Sequence, residues 1–396
     1  MFTELDSAPP DAILGLNEAF GRDESPDKIN LTIGVFRDAS GRTPILECVK
    51  EAERRLVESE TTKGYLGIDG MPEFGEHAQR LLFGAGHEII ESGRAVTAQT
   101  PAGTAALRVA AEFLHEAFPS ARIWCSRPTW PNHPSVFAAA GIEVAEYRYF
   151  DPATNGLDLD GFLDDLAAIP AGDIVCLHAC CHNPTGVDPS PDDWLRVADI
   201  VGERALLPLV DFAYQGFGSG LDEDAAGLRA LCRPGTELLV ASSFSKNFSL
   251  YRERVGALTV VTGDEETAAV VLSRLKRCVR SSYSNPPSHG AAVVTTILDD
   301  DLLRTGWHHE LAAMRDRIRS LRTLFAKTMA ATGAAGDFDF ITRQQGMFSF
   351  SGLSAEQVDR LREEHSVYMV RNGRLNVAGI SEQSVERLCQ AIASVL

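Results

Sequence analysis

Residues 173–217 read DIVCLHACCHNPTGVDPSPDDWLRVADIVGERALLPLVDFAYQGF. The run Ile174-Val175-Cys176-Leu177-His178 is strand-like, and so is Leu207-Pro208-Leu209-Val210. Between them, Pro191 to Arg204 has the length and period of a helix. A third strand-like run, Glu237-Leu238-Leu239-Val240-Ala241, lies further on. Strand, helix, strand at this spacing predicts a parallel α/β sheet. Ligands of such sheets bind beyond the carboxyl ends of the strands. The three runs end in polar clusters there: His182-Asn183-Pro184-Thr185-Gly186, Asp211-Phe212-Ala213-Tyr214 and Ser242-Ser243-Phe244-Ser245-Lys246. That convergence is the first functional signal.

Working outward, the chain has 396 residues, with 37 Lys+Arg against 55 Asp+Glu, a net charge of −18. At roughly 150 residues per domain the length suggests two domains. A hydrophobic content of 44% excludes disorder as a description of the whole chain. The acidic balance argues against nucleic-acid binding, because no basic face is left to displace counterions from phosphates. Any anionic ligand must therefore be captured by a local cationic pocket. Met1 to Asp11 holds no basic stretch followed by an apolar run, and no apolar run is long enough to span a membrane. The expectation is a protein without leader or membrane anchor. Eight cysteines without regular spacing fit free thiols in a reducing, cytoplasmic setting.

The C-terminal part reads as a small α+β unit. A long charged helix is expected from about Trp307 to Ala331, and Ser354 with Gln357 forms a capping-box pattern. Val367 to Val370 alternates like a strand, and Asn372-Gly373 predicts a hairpin whose return strand begins at Arg374. Ser381 to Leu396 is a final amphipathic helix, and Lys28 to Val35 is expected to join this unit.

Each candidate side chain has a plain alternative. Lys246 can serve as an amine nucleophile only where its pKa is lowered; otherwise it is a surface lysine in a serine-rich loop. Ser243 and Ser245 offer donors to a phosphate, and Arg254 a cation. Asp211 suits a protonated ring nitrogen, or a helix N-cap. Thr100 to Leu107 is a glycine-containing turn opening a helix, whose N-terminus suits a phosphate, though it has no P-loop lysine. Trp130, close to Pro128 and Pro131, is a stacking platform or a packed loop aromatic. Cys176, His178, Cys180 and His182 have ligand chemistry, but no second cluster completes a zinc pattern, and no metal is expected. Arg280 and Arg374 sit beside turns, where arginine serves bidentate carboxylate capture or a surface ion pair.

Taken together these segments resemble the class I pyridoxal-phosphate aminotransferases, the aspartate/aromatic aminotransferase family. The resemblance rests on Asn183-Pro184-Thr185-Gly186, Asp211 to Phe217, Ser243 to Phe248, Tyr251 to Gly256, Tyr283-Ser284-Asn285-Pro286-Pro287 and the Arg374 segment, and runs from Pro10 to Leu396. It implies an α/β protein of PLP-dependent transferase fold type I. A large domain with a mostly parallel seven-stranded sheet would span 45–313, and a small α+β domain 11–44 with 314–396. Residues 1–10 would form an N-terminal arm. A homodimer with shared active sites is implied.

The resemblance assigns roles residue by residue. Lys246 would hold pyridoxal 5'-phosphate through its amine and act as general base. Asp211 would hold the protonated ring nitrogen, Tyr214 and Asn183 would reach the phenolic oxygen, and Trp130 would stack on the ring. Gly103, Thr104, Ser243, Ser245 and Arg254 would take the phosphate, with Tyr65 of a second copy. Arg374, Asn183 and Gly34 would take the substrate α-carboxylate, and Arg280 of a second copy the distal one. Val35, Arg37, Thr43, Thr104 and Asn285 follow the aspartate pattern, whereas Gly64 and Ser282 depart from it. The expected activity is ping-pong amino transfer from L-aspartate to 2-oxoglutarate. Aromatic amino-acid transfer is the alternative, and a non-enzymatic cofactor-binding regulator a remote one, since no DNA-binding extension is visible.

Overall fold

The computed structural model describes residues 2–6, 13–334 and 336–396. The N-terminal arm expected over 1–10 therefore lies in part outside the described residues; within it, Phe2–Glu4 is a short 3-10 helix.

Seven strands form the central sheet: β1 (Ala95–Pro101), β2 (Ile123–Arg127), β3 (Val144–Arg148), β4 (Ile174–His178), β5 (Leu207–Phe212), β6 (Leu238–Ser243) and β7 (Val255–Val261). Their order is β1-β7-β6-β5-β4-β2-β3. Only β7 runs against its neighbours, pairing antiparallel with both β1 and β6. The mostly parallel sheet expected from the sequence is the one observed.

The apolar runs are continuous because both faces of the sheet are covered. Val175, Leu177, Val210, Phe212, Leu238 and Val240 point into one buried cluster. Ile174, Cys176, Leu209, Leu239 and Ala241 point into a second, on the opposite face. Strand alternation thus divides each run between two cores. The register sets His178 opposite Asp211, and Asp211 opposite Ala241, at the carboxyl edge of the sheet. The polar clusters of three strands are brought together by this alignment.

The long C-terminal helix runs from Asp301 to Thr332. Its start is fixed by Asp300, whose carboxylate accepts from the amides of Leu302 and Leu303, both at 2.9 Å. Gly333 ends it in the left-handed region, φ 70°. At 1.5 Å per residue it is about 48 Å long, enough to reach both the loops at the carboxyl edge of the sheet and the C-terminal elements. Its Trp307 is fully buried, stacks on Phe248 at 4.3 Å and donates to the carbonyl of Asn247 at 2.8 Å. It therefore holds the segment that follows Lys246.

The capping box at Ser354 and Gln357 is present. Ile29–Asn30 pairs parallel with Val367–Tyr368, so the N-terminal segment does join the C-terminal elements. One expectation is corrected. The turn at Asn372-Gly373 forms, closed by the Gly373 amide on Val370 O at 2.9 Å and the Val370 amide on Arg374 O at 3.1 Å, but the hairpin pairing goes no further. Arg374–Asn376 pairs instead with Phe348–Phe350. The hydrogen-bonding edge of Tyr368 is taken by the Leu31 amide at 2.8 Å, which competes for the local partner.

Trp307→Ala should destabilise the chain by about 3–5 kcal/mol, the cost of emptying a large aromatic site. Urea denaturation followed by far-ultraviolet circular dichroism checks this; a loss under 1 kcal/mol, on the same scale, would mean the site collapses freely.

Candidate active site

A cavity of about 210 Å³ opens at the carboxyl edge of β4, β5 and β6. Twelve of the fourteen site residues named from sequence line it: Gly34, Gly103, Thr104, Trp130, Asn183, Asp211, Tyr214, Ser243, Ser245, Lys246, Arg254 and Arg374. Tyr65 and Arg280 do not. Tyr65 is 96% exposed, and Arg280 donates only to the nearby Ser284 hydroxyl. Of the residues read for substrate preference, Thr104 lines the cavity, whereas Val35, Arg37, Thr43 and Asn285 do not.

Burial dominates the electrostatics. It lowers the Lys246 ammonium to about 8, with Arg254 adding to the effect and Asp211 opposing it. A fraction of this amine is therefore uncharged near neutral pH. Its Nζ lies 4.7 Å from the centre of the Tyr214 ring. Burial alone would raise the Asp211 carboxyl. The hydrogen bond from His133, with His178 and Lys246 nearby, outweighs it and holds the group below the usual carboxylate value. His133 donates from Nε2 to Asp211 at 3.0 Å and accepts at Nδ1 from the Thr129 hydroxyl at 2.8 Å. The two partners set one tautomer: the ionised carboxylate needs the Nε2 proton, and the hydroxyl supplies the proton for Nδ1.

The substrate-facing wall is built from the C-terminal elements. Burial lowers Arg374 to about 10, still a cation at neutral pH. Its guanidinium lies 4.3 Å over the Phe348 ring and donates to the Thr32 carbonyl, while Nε has no partner among the described residues. Asn376 donates to the carbonyls of Ile33 and Val35 at 2.7 and 2.9 Å and so clamps Gly34 from both sides. A Cβ at Gly34 would lie 2.4 Å from the Phe348 ring, so the close approach requires glycine.

At the opposite end, the helix Ala102–Ala117 starts against β6. Its first turn has no side-chain cap, which leaves amides facing the cavity. A Cβ at Gly103 would meet that of Ser243 at 3.1 Å. The Ser245 hydroxyl and the Asn183 side-chain carbonyl are buried without partners among the described residues. Helix amides, two serines and Arg254 suit a phosphate, and an ionised, buried Asp211 suits a protonated ring nitrogen. Unmatched buried polar atoms are costly unless something fills the space between them.

The sequence reading passed over three contributors. His133 lies three residues past Trp130 and carries no sequence signal of its own; only the fold sets it against Asp211. Tyr251 also lines the cavity, its hydroxyl accepting from the Phe36 amide at 2.9 Å. It heads the Tyr251 to Gly256 segment, which is the signal that pointed to it. Phe348 gave no signal. Cys176, His178, Cys180 and His182 do not share one strand face, because β4 ends at His178 and the alternation stops there.

A lysine kept partly neutral, a carboxylate kept ionised and a phosphate-like cradle within one cavity define a site for a phosphorylated heterocycle that bonds to an amine. The chain belongs to the aminotransferase class I and II family, whose model matches residues 26–392. It is 55% identical over 396 residues to the aspartate aminotransferase of Escherichia coli K12, covering all of both chains. It is 50% identical over 394 residues to the aromatic-amino-acid aminotransferase of Pseudomonas aeruginosa, covering all of this chain and 98% of that one. The solved aromatic-amino-acid aminotransferase from Burkholderia pseudomallei, covalently bound to pyridoxal phosphate, superposes with a TM-score of 0.97 at 47% identity, covering 100% of this chain and 99% of that chain.

In the cofactor-free chain, labelling of Lys246 by a small amine reagent should rise with a midpoint near pH 8. The sign follows from burial: the charged form is disfavoured, so the reactive neutral amine appears at lower pH. Mass-spectrometric labelling across pH checks it; a midpoint at an exposed lysine's value of about 10.4 would mean that burial does not act on this amine.

Proposed function

We propose that the chain is an aspartate aminotransferase that uses pyridoxal phosphate to move the amino group of L-aspartate to 2-oxoglutarate. The observation that carries this reading is the convergence of Lys246, Asp211 and Arg374 on one cavity. The aspartate preference is supported by the higher identity to the Escherichia coli aspartate enzyme than to the Pseudomonas aeruginosa aromatic one.

The cofactor fits the residues present. Gly103, Thr104, Ser243, Ser245 and Arg254 would hold its phosphate, and Trp130 would cover its ring. Asp211 would keep a proton on the ring nitrogen, with Asn183 and Tyr214 at the phenolic oxygen. When bound, pyridoxal phosphate supplies an aldehyde that condenses with amines and a cationic ring that accepts electrons. Arg374 binds the substrate α-carboxylate and orients Cα towards Nζ of Lys246. The neutral Nζ takes the Cα proton as general base and later returns a proton in the transfer. Burial of the site excludes bulk water from that exchange.

We further propose a homodimer, in which Tyr65 and Arg280 complete the site of the other copy. Both are exposed and outside the cavity of their own chain, as residues serving a neighbour would be. Residues 45–313 are assigned to a large domain and 11–44 with 314–396 to a small one. A cytoplasmic setting accords with eight free cysteines. An aromatic preference is the rival reading, supported by the 50% identity to the Pseudomonas aeruginosa aromatic enzyme.

Lys246→Ala should abolish turnover and the absorbance of the lysine-bound cofactor; transamination at the parental rate would refute its role. Arg374→Gln should raise KM for aspartate by roughly 10²-fold or more, as a bidentate charged contact is lost. Comparing kcat/KM for aspartate, phenylalanine and tyrosine, with 2-oxoglutarate as acceptor, decides between the two preferences.

A further inference from the structure

A second cationic cavity lies away from the one described above. It measures about 160 Å³ and is walled by the helix Asp301–Thr332, the loop at Phe217–Ser219 and the segment Thr342–Gly346. Arg315, Arg319, Arg322 and Arg343 all line it. Four guanidinium groups around one small space are unexpected in a chain of net charge −18. Nothing in the proposed aminotransferase chemistry uses them.

Their hydrogen-bond partners leave donors unused. Arg315 donates to Gly216 O at 3.1 Å and Arg319 to Gly218 O at 3.4 Å. Buried Arg322 donates to the carbonyls of Ile341, Gln345, Gly346 and Phe348 and to the Ser349 hydroxyl. These partners are neutral. Of the acids nearby, two are on the surface and two lie behind the cavity. Asp316 meets Arg319 at 3.9 Å and Asp339 meets Arg343 at 3.4 Å, both exposed and screened pairs. Asp188 offsets part of the Arg322 charge from behind, and accepts from the amides of Cys181 and His182. The Asp224 oxygens accept from the amides of Gly216, Gly218, Ser219 and Gly220 at 2.7 to 3.4 Å. Nε of Arg315, Nε of Arg322 and both amide atoms of Gln344 have no partner among the described residues, although Gln344 is only 4% exposed.

We propose that this cavity binds a phosphate-class oxyanion, held by Arg315, Arg319 and Arg343 with Arg322 and Gln344 behind them. Guanidinium forks match oxyanions geometrically. The volume admits inorganic phosphate or a small monoester and is below the range of drug-sized ligands. A hydrogen phosphate also carries a hydroxyl, which suits the carbonyl side of the Gln344 amide, whereas sulfate carries none. Occupancy would tie the long helix to the loop beyond Tyr214. It would also brace the segment whose Gln345 amide donates to Gly186 O at 2.6 Å, beside Asn183.

Isothermal titration with inorganic phosphate tests this, using the full chain saturated with pyridoxal phosphate and chloride to hold ionic strength. One saturable isotherm is expected in the parent. Arg254→Gln, which alters the other phosphate-compatible cavity, should keep it. The double variant Arg319→Gln with Arg343→Gln, both exposed and safe for folding, should weaken it about tenfold or more. Glycerol 3-phosphate run alongside tells a site for the free ion from one that admits a monoester; binding of either supports the site. No saturable binding in the parent, equal affinity in the double variant, or loss with Arg254→Gln would overturn the proposal.

Discussion

The carboxylate of Asp211 is buried beneath the cavity, and its charge survives there because His133 donates to it. An unpaired carboxylate at that depth would protonate, since transfer from water costs far more than a shift in pKa. His133 is itself fully buried and held from behind by Thr129, so the pair is oriented before any ligand arrives. Lys246 lies within the electrostatic reach of the same acid, yet burial still outweighs that attraction and lowers its pKa. One desolvated space thus keeps an acid ionised and an amine partly neutral. Both states are needed for amine chemistry at neutral pH; open water would also ionise the acid, but it would leave the amine almost wholly charged.

Supporting this space is a sheet whose strands arrive in register. Asp211 on β5 faces His178 on β4, and Gly256 on β7 faces Ser243 on β6. Glycine is required where backbones meet. A Cβ at Gly256 would lie 2.4 Å from the Ala102 carbonyl carbon, so the helix Ala102–Ala117 can begin flush against the sheet only there. The same economy of space recurs at Gly34 under Phe348. Phosphate-like and carboxylate-like ends of the cavity are therefore set by backbone approach as much as by side-chain identity.

Charge is distributed unevenly. An acidic molecule repels anions at long range, so each anion-compatible place must be a short-range, partly desolvated cluster of cations. Arg374 is held over Phe348 in one such place, and Arg315, Arg319, Arg322 and Arg343 surround another. Both lie where the C-terminal elements meet the sheet-bearing part of the chain. The helix Asp301–Thr332 touches each side and carries three of these arginines.

Local chemistry already determined much of this in the sequence. Apolar runs buried on both faces wrote the parallel sheet, Ser354 with Gln357 wrote a helix start, and polar residues after each strand wrote the cavity rim. Such signals are legible because they depend on neighbours a few residues apart. Other features depended on partners hundreds of residues away. Leu31 took the edge of Tyr368 and redirected the strand after Asn372-Gly373 from its hairpin to Phe348–Phe350. His133 met Asp211, and Phe348 came under Arg374, only once the chain had closed. The amino-acid order by itself decided which residues carry the chemistry. Tertiary packing alone decided their ionisation and orientation, because desolvation and long-range hydrogen bonds exist only in the folded chain.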